Sequence, residues 1–251
     1  MEFIRHEKKD NLSIITLSRA RSNAINGALL VELAQAVNHA ADDESVRGVV
    51  LASDQPRFFS GGFDVNEVFA YDRERMRDFF GRFIDVYEKL HRLPKPVVAA
   101  VGGHAFAGGA FLVLTADLRI FAEGDFGFAL NEINFAVVLP PGMVRMAIDA
   151  LGLRHARDLL FYGSPISPAE ALKIGLAKEA VATEAVLERA IHHARALAEK
   201  PAAAFAAVKR SFLEATGHAA SDREGLEPFL DHWFSSDCID GRQKIIESLR
   251  K

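Results

Sequence analysis

The sequence has few of the residues that would indicate a disulfide scaffold, a secreted protein or a nucleic-acid binder. Its single cysteine, Cys238, cannot form an internal disulfide. The formal net charge is -4 and no block of lysines or arginines occurs, so a nucleic-acid partner is not expected. Residues 1–14 carry charges where a secretory leader would be apolar. These absences predict a cytoplasmic protein.

Long apolar runs are also missing. The longest, FAGGAFLVL at 106–114, is about half of what a membrane-spanning helix needs, and glycines interrupt its start. With 49% hydrophobic and 25% charged residues, the 251-residue chain has a globular composition. We therefore expect no membrane partner, and either one large domain or one core with an appended segment.

Short β-branched runs alternate with amphipathic helical patterns over the first two thirds of the chain. The predicted strands cover residues 12–17, 46–53, 96–101, 118–122 and 177–182. Several are apolar throughout, which is typical of a sheet covered on both faces. Asn26 is predicted to cap one helix, and a longer helix is predicted around residues 79–90. From about Ser167 the pattern becomes mainly helical, so the chain is predicted to be α/β.

Two glycine-bearing turns, in FFSGGF and VGGHAFAGGAF, follow predicted strands. Gly103 and Gly108 have P-loop spacing, but Gly109 and Ala110 stand where a lysine and a hydroxyl residue would be needed. The dinucleotide fingerprint fails as well. Two alternatives remain: close packing of the backbone, or an oxyanion hole in which the N–H groups of Phe63 and Gly108 converge.

The chain resembles the crotonase superfamily, that is, the enoyl-CoA hydratase/isomerase family. The resemblance covers nearly the whole chain and rests on five motifs in family order: NAIN (23–26), FFSGGFDVNEV (58–68), KPVVAAVGGHAFAGGAF (95–111), ADLRIFA (116–122) and SPISPAEALKIGLAKEAV (164–181). It implies a spiral of ββα repeats with the acyl-CoA site in residues 1–195. Residues 196–251 would form a helical region that trimerises and closes the cleft.

The same resemblance implies the substrate and the assembly. The partner would be an acyl-CoA thioester, with coenzyme A as part of the substrate and no separate cofactor. The assembly would be a homotrimer or a dimer of trimers. The C-terminal patterns also carry many apolar residues, which we expect to face neighbouring subunits: Phe205, Val208, Phe212, Leu226, Phe229, Leu230, Trp233 and Phe234.

The resemblance also assigns site residues. The thioester oxygen would lie between the N–H groups of Phe63 and Gly108, and Glu132 would be the catalytic carboxylate. The expected substrate-binding residues are Ala24, Asn26, Gly61, Gly62, Asp64, His104, Phe111, Pro140 and Gly142. No metal site is expected, because His192 and His193 lack ligand partners at suitable spacing.

Position 111 separates this chain from hydratases of the family, which carry a glutamate there and a second one further along. Here the first position is Phe111, and the second is retained as Glu132 in FALNEINFAVVLPPG, which resembles the catalytic segment of Δ3,Δ2-enoyl-CoA isomerases. An apolar setting would raise the pKa of Glu132 toward a value useful for moving protons. One carboxylate suffices to move a double bond, so the expected reaction converts a 3-enoyl-CoA to a 2-enoyl-CoA.

Several alternatives remain open from the sequence. The glycine turn and the lone glutamate are also similar to carboxymethylproline synthases, which trap an enolate derived from malonyl-CoA. A decarboxylase, a thioester hydrolase, a weak enoyl-CoA hydratase and a non-catalytic acyl-CoA binder are further alternatives. Glu132 could be an exposed loop residue, Asp64 a helix cap and His104 a structural residue of its turn.

Overall fold

The computed structural model describes residues 1–218 and 220–249, and side chains as far as residue 243. Nine strands lie within these residues: β1 Ile4–Lys9, β2 Leu12–Leu17, β3 Gly48–Ser53, β4 Phe58–Ser60, β5 Val97–Val101, β6 His104–Phe106, β7 Leu118–Ala122, β8 Phe128–Ala129 and β9 Glu179–Val181. Ten α-helices accompany them: α1 Gly27–Asp42, α2 Val65–Val68, α3 Arg73–Arg92, α4 Gly108–Leu114, α5 Pro141–Tyr162, α6 Pro168–Lys173, α7 Val186–Ala198, α8 Ala202–Ala215, α9 Leu226–Trp233 and α10 Ser236–Leu249. Three 3-10 helical turns complete the description: Glu132–Phe135, Thr183–Ala185 and Asp222–Gly225.

The strands form two sheets. Six of them make a mixed sheet in the order β1-β2-β3-β5-β7-β9, in which β1 pairs antiparallel with β2 and the other neighbours are parallel. The remaining strands form a small parallel sheet in the order β4-β6-β8. Parallel strands need long crossover connections, and most of the helices lie in these connections.

Successive strand pairs follow one repeating path. In β3 and β4, β5 and β6, and β7 and β8, the first strand enters the large sheet, the second enters the small sheet, and a helix follows. This is the α/β spiral of ββα repeats that the family resemblance implies. Because parallel strands end at the same sheet edge, the turns after β4, β6 and β8 are brought side by side, where α/β proteins often bind ligands.

Both faces of the large sheet are covered, as its apolar strands predict. On one face, side chains such as Leu51 and Ala99 join the main core with α1 and α3. On the other, Val50, Val98 and Ile120 pack against α7. The alternation along β3 therefore sends neighbouring residues into two different cores, which explains why the strand shows no polar face.

The predicted strands at 12–17 and 118–122 coincide with β2 and β7. The other three predicted strands are present but shorter at one or both ends. β1 was not predicted, since IRHEKK is charged and four of its six residues are exposed. The strands of the small sheet contain only two or three residues each, too few for a periodic pattern.

The helix starts also agree with their sequence signals. The Asn26 side chain accepts a hydrogen bond from the Leu29 N–H at 3.0 Å and caps α1. Pro168 is the first residue of α6, Pro201 immediately precedes α8, and Pro228 lies in the first turn of α9. Proline is tolerated in a first turn because those N–H groups have no partner within the helix.

The C-terminal helices correct one expectation. Leu226, Phe229, Leu230 and Trp233 do not face outward; they are at most 7% exposed, because α9 packs against α3 and the rest of the core. Val208 and Phe212 on α8 are exposed, together with Leu153, Phe161 and Tyr162 on α5. Within the described part of the chain, no helix is long and apolar enough to span a bilayer.

Candidate active site

A cavity of about 450 Å³ lies where the turns after β4, β6 and β8 meet. Its lining includes Phe63 and Asp64 after β4, Gly108 after β6 and Glu132 after β8. Large apolar side chains make up most of the remaining wall, and Asp64 and Glu132 are the carboxylates in the lining. A concave, mostly apolar space with a few polar groups is the usual form of a small-molecule site.

Two backbone N–H groups in the cavity wall are available to a ligand. The neighbouring amides are engaged: the N–H of Asp64 donates to Ile25 at 2.8 Å, and that of Ala107 donates to Ala129 at 3.0 Å. The N–H groups of Phe63 and Gly108 have no acceptor among the described residues. Gly108 is the first residue of α4, so its N–H also carries the positive end of the helix dipole.

The backbone around these two groups is unusual. Gly62 has φ +89°, and a Cβ at this position would lie 2.9 Å from the Phe106 carbonyl oxygen, so only glycine fits. Ala107 has φ 47° and ψ -126°, a conformation that an L-residue with a side chain rarely adopts. Such strain persists only where surrounding contacts impose it, and it collects at functional sites. Here it flanks both free N–H groups.

The close approach of the two turns explains the second glycine pair. A Cβ on Gly109 would lie 2.5 Å from the Ser60 carbonyl oxygen, so the first turn of α4 can rest against β4 only without a side chain. The Phe63 ring packs edge-on against Phe79 and Phe83 of α3, with ring centroids 4.9 and 5.0 Å away. The glycines therefore allow close packing of the backbone and also leave the N–H groups of Phe63 and Gly108 accessible.

Glu132 begins the 3-10 turn after β8 and is 7% exposed. Its Oε2 is buried and has no hydrogen-bond partner among the described residues. Burial raises the pKa of this carboxyl to about 8. Neither charged partner nor solvent holds the ionised form, so the group can take up and release a proton near neutral pH.

The turn that carries Glu132 is held by the C-terminal helices. His232 on α9 donates from Nε2 to the carbonyl oxygen of Ala136 at 2.6 Å. The backbone of Ala136 is in the left-handed region, with φ 53°. Gly241 of α10 packs closely against it, since a Cβ added to Gly241 would lie only 3.2 Å from the Cβ of Ala136. These contacts fix the direction in which the turn presents Glu132. The C-terminal region is thus part of the site within the same chain.

Asp64 is engaged in structural contacts. Its Oδ1 accepts from the Asn66 N–H at 3.1 Å and caps α2, and its Oδ2 pairs with Arg19 at 2.6 Å. Arg19 also donates to the Ala24 carbonyl at 2.7 Å, so it ties the NAIN segment to the glycine turn. This agrees with the interpretation of Asp64 as a cap. Arg19 was not singled out from the sequence, because a lone arginine carries no local pattern.

The residues of the NAIN segment, 23–26, have different structural roles. Asn23 is fully buried and its amide donates to Ser53 and to the Phe59 carbonyl, at 2.8 and 3.0 Å. Asn26 caps α1 and donates to Glu67 at 2.8 Å. Ala24 lines the cavity, as does Gly61. Asn26 and Gly62, which were expected to bind substrate, are not among the residues that line the cavity, and they shape the backbone next to it.

The remaining expected residues lie outside the cavity lining. Phe111 is fully buried in the main core, because it is in the middle of α4 and faces away from the cavity. His104 Nδ1 accepts from the Gly127 N–H at 2.9 Å, so the ring is fixed in its turn. The Gly142 N–H donates to Asp222 at 2.7 Å, and Pro140 borders a separate surface pocket.

Much of the wall was not anticipated as a site. Asn131 stands beside Glu132, and Met143 follows Gly142. Aromatic residues of α3 and α9 form one side: Phe80, Phe83, Phe229 and Trp233. Phe80 and Phe229 stack with centroids 3.6 Å apart, so they join the two helices. Phe80 and Phe83 lie in the helix that was predicted around residues 79–90, but helical periodicity does not distinguish a core residue from a cavity wall.

Comparisons with known proteins agree with this geometry. A sequence profile described as enoyl-CoA hydratase/isomerase matches residues 7–242. Mitochondrial enoyl-CoA delta isomerase 1 of Rattus norvegicus is 27% identical over 188 residues, which are 74% of this chain and 65% of the relative. A probable enoyl-CoA hydratase of Bacillus subtilis is 28% identical over 240 residues, which are 94% of this chain and 92% of the relative.

The fold is shared with a solved structure. Human mitochondrial Δ3,Δ2-enoyl-CoA isomerase superposes with a TM-score of 0.93 at 24% identity, over 99% of this chain and 98% of that one. The match over residues 7–242 takes in the spiral, the two free N–H groups, Glu132 and the C-terminal helices as far as α10. The chain therefore belongs to the enoyl-CoA hydratase/isomerase family, and both relatives above are enzymes by name.

Proposed function

We propose that this enzyme converts 3-enoyl-CoA thioesters to 2-enoyl-CoA thioesters, with Glu132 as the single proton carrier. The observation that carries the proposal is the state of the two carboxylates in the cavity wall. Asp64 is paired with Arg19. Glu132 is buried, its Oε2 has no hydrogen-bond partner among the described residues, and burial raises its pKa to about 8 although its own backbone N–H favours the ionised form. One carboxylate is free for chemistry.

The proposed reaction needs only these groups. Glu132 removes a proton from C2 of the 3-enoyl-CoA, and the negative charge moves onto the thioester oxygen as a dienolate. The N–H groups of Phe63 and Gly108 donate to that oxygen, where each donor stabilises charge that develops only during the reaction. The protonated Glu132 then returns the proton to C4, and the double bond lies between C2 and C3.

The surroundings favour proton transfer over hydration. Adding water to a 2-enoyl-CoA requires a bound water and a group to activate it. Among the described residues, Glu132 has no second free carboxylate beside it in the cavity lining. Phe111, at the position where hydratases carry their other glutamate, is fully buried in the core. Sequence identity does not decide the question, since isomerase and hydratase relatives are equally similar.

The test is the initial rate of the wild-type enzyme on three substrates: 3-hexenoyl-CoA, crotonyl-CoA and malonyl-CoA. We expect isomerisation of 3-hexenoyl-CoA to exceed hydration of crotonyl-CoA by about two orders of magnitude, the size of one general acid–base contribution. Faster hydration would assign the enzyme to the hydratases. Consumption of malonyl-CoA alone would favour the enolate-trapping or decarboxylating alternatives.

We also propose that residues 196–251 serve both cleft closure and assembly of a homotrimer or a dimer of trimers. Phe229 and Trp233 close the cavity from within the chain. Val208 and Phe212 on α8, at 70% and 54% exposure, remain as apolar surface in the same region. Phe161 and Tyr162, at the end of α5, are 68% and 75% exposed and add to this apolar surface. Apolar surface of this kind marks a site of association.

Light scattering coupled to size-exclusion chromatography measures the assembly directly. We expect a mass of three or six chains at micromolar concentration. Phe212→Lys should reduce the mass, since a charge would be buried at the contact, whereas Leu187→Lys on α7 serves as a matched exposed control. A well-folded wild-type monomer would exclude the trimer.

A further inference from the structure

Three side chains that the proposed reaction does not use meet behind the cavity. His91 lies in the last turn of α3, Asp149 in α5, and His218 in the segment after α8. One potential ligand atom from each lies within 4.8 Å of the other two. None of the three lines the acyl-CoA cavity. No local sequence pattern indicates the cluster, because its members come from three distant segments.

The geometry points to a binding site for one divalent transition-metal ion, such as Zn²⁺, held by His91, Asp149 and His218. The imidazole nitrogens and the carboxylate oxygen are the ligands that Zn²⁺ prefers in proteins. In a tetrahedral site these atoms would be about 3.3 Å apart, so a shift of an ångström or so closes the cluster around the ion.

Within the cluster, one potential ligand atom has no hydrogen-bond partner among the described residues. His218 Nε2 and Asp149 Oδ2 are 2.5 Å apart and satisfy each other. His91 Nε2 is buried and has no hydrogen-bond partner among the described residues, although its ring is 4.8 Å from that of His218. A buried polar atom without a partner is costly and calls for an unseen group. A metal ion would satisfy it.

The charges around the cluster are already compensated. Lys209 pairs with Asp117 at 2.9 Å, and Arg92 lies 3.9 Å from Glu88. A gap of about 10 Å³, just enough for one water, borders His91 and His218 and is also lined by Glu88 and Asp222. A water there would supply the fourth ligand and donate to these carboxylates.

The ion would join three elements that also build the cavity wall. Phe80 and Phe83 come from α3, Met143 comes from α5, and α9 follows the segment that carries His218. The site is therefore structural: it would hold α3, α5 and the start of the C-terminal region together. It does not depend on the reaction that the enzyme catalyses.

The test uses the full chain, stripped with a chelator and dialysed against ZnCl₂. We expect about one zinc per chain by elemental analysis, and a melting temperature raised by about 5 °C at zinc concentrations well above Kd. His91→Gln and Asp149→Asn should each lose the bound zinc and the thermal shift. His192→Gln, on the exposed side of α7, removes an imidazole elsewhere and should keep both.

His91→Gln is the decisive variant, since His91 Nε2 has no hydrogen bond to lose among the described residues and the fold should survive. Near-ultraviolet circular dichroism checks that fold. A wild-type protein that binds no zinc, or a His91→Gln variant that binds as much as His192→Gln, would overturn the proposal. The cluster would then be a buried His–Asp pair alone.

Discussion

Replacing Glu132 with glutamine should lower the isomerisation rate of 3-hexenoyl-CoA by about two to four orders of magnitude, with acyl-CoA affinity preserved. Glutamine keeps the shape of the side chain but cannot accept the C2 proton. Within the described residues the side chain has no ion pair and its Oε2 accepts no hydrogen bond. Its replacement therefore leaves no charged or hydrogen-bonding group without a partner. Rate, acyl-CoA affinity and melting temperature are measured on the same preparation.

Glu123→Gln is the matched control, because Glu123 is an exposed glutamate on the strand-to-turn segment after β7. It should behave like the wild type in all three measurements. An unchanged rate in Glu132→Gln would remove this residue from the mechanism. A joint loss of affinity and melting temperature would make its role structural.

Gly108→Pro should lower turnover by about two to three orders of magnitude, since it removes one N–H donor to the enolate oxygen. Proline at the first position of α4 removes no hydrogen bond within the helix, since that N–H has no partner there. Ala107, with ψ -126°, lies outside the region that a residue before proline prefers, so the melting temperature is measured together with turnover. The loss should appear in kcat more than in the affinity for the product 2-enoyl-CoA, because the donor acts on charge that develops in the reaction.

Gly108→Ala separates the donor from the added bulk. A Cβ at this position would lie 2.9 Å from Cε1 of Phe63, and proline carries the same Cβ. Alanine keeps the N–H, so its turnover should fall much less than that of the proline variant. Equal losses in the two variants would assign the effect to crowding of the Phe63 ring and would place the oxyanion donor elsewhere.

The large sheet was predictable because its strands are buried on both faces and bounded by turn residues. β2 and β7 match the predicted limits, and β3 and β5 differ only at their first residues. β1 has a charged sequence and forms because it can pair with β2 at the sheet edge. The small sheet depends on contacts between distant segments, which no local pattern encodes.

The places of the three proposed catalytic residues in the cavity were easier to predict than the rest of its wall. Phe63, Gly108 and Glu132 line the cavity because family motifs place them in turns after parallel strands. The expectation for Phe111 followed its alignment with a hydratase glutamate, but the rotation of α4 places it in the core. The α9 aromatics were predicted to face another subunit, yet they fold back onto α3 and the cavity.

In the proposed reaction, one buried carboxylate takes a proton from C2 and returns it to C4. The path of this proton can be followed with 3-hexenoyl-CoA that carries deuterium at both C2 positions and is turned over by the wild-type enzyme in ordinary water. Since Glu132 is 7% exposed and its Oε2 has no partner among the described residues, exchange of its proton with solvent should be slow during a turnover.

Mass spectrometry of the 2-hexenoyl-CoA product then reports the path of the proton. The account predicts that most product molecules keep both deuterium atoms, one at C2 and one newly placed at C4. Product with hydrogen at C4 in every molecule, or a 3-hydroxyacyl-CoA as the main product, would contradict it.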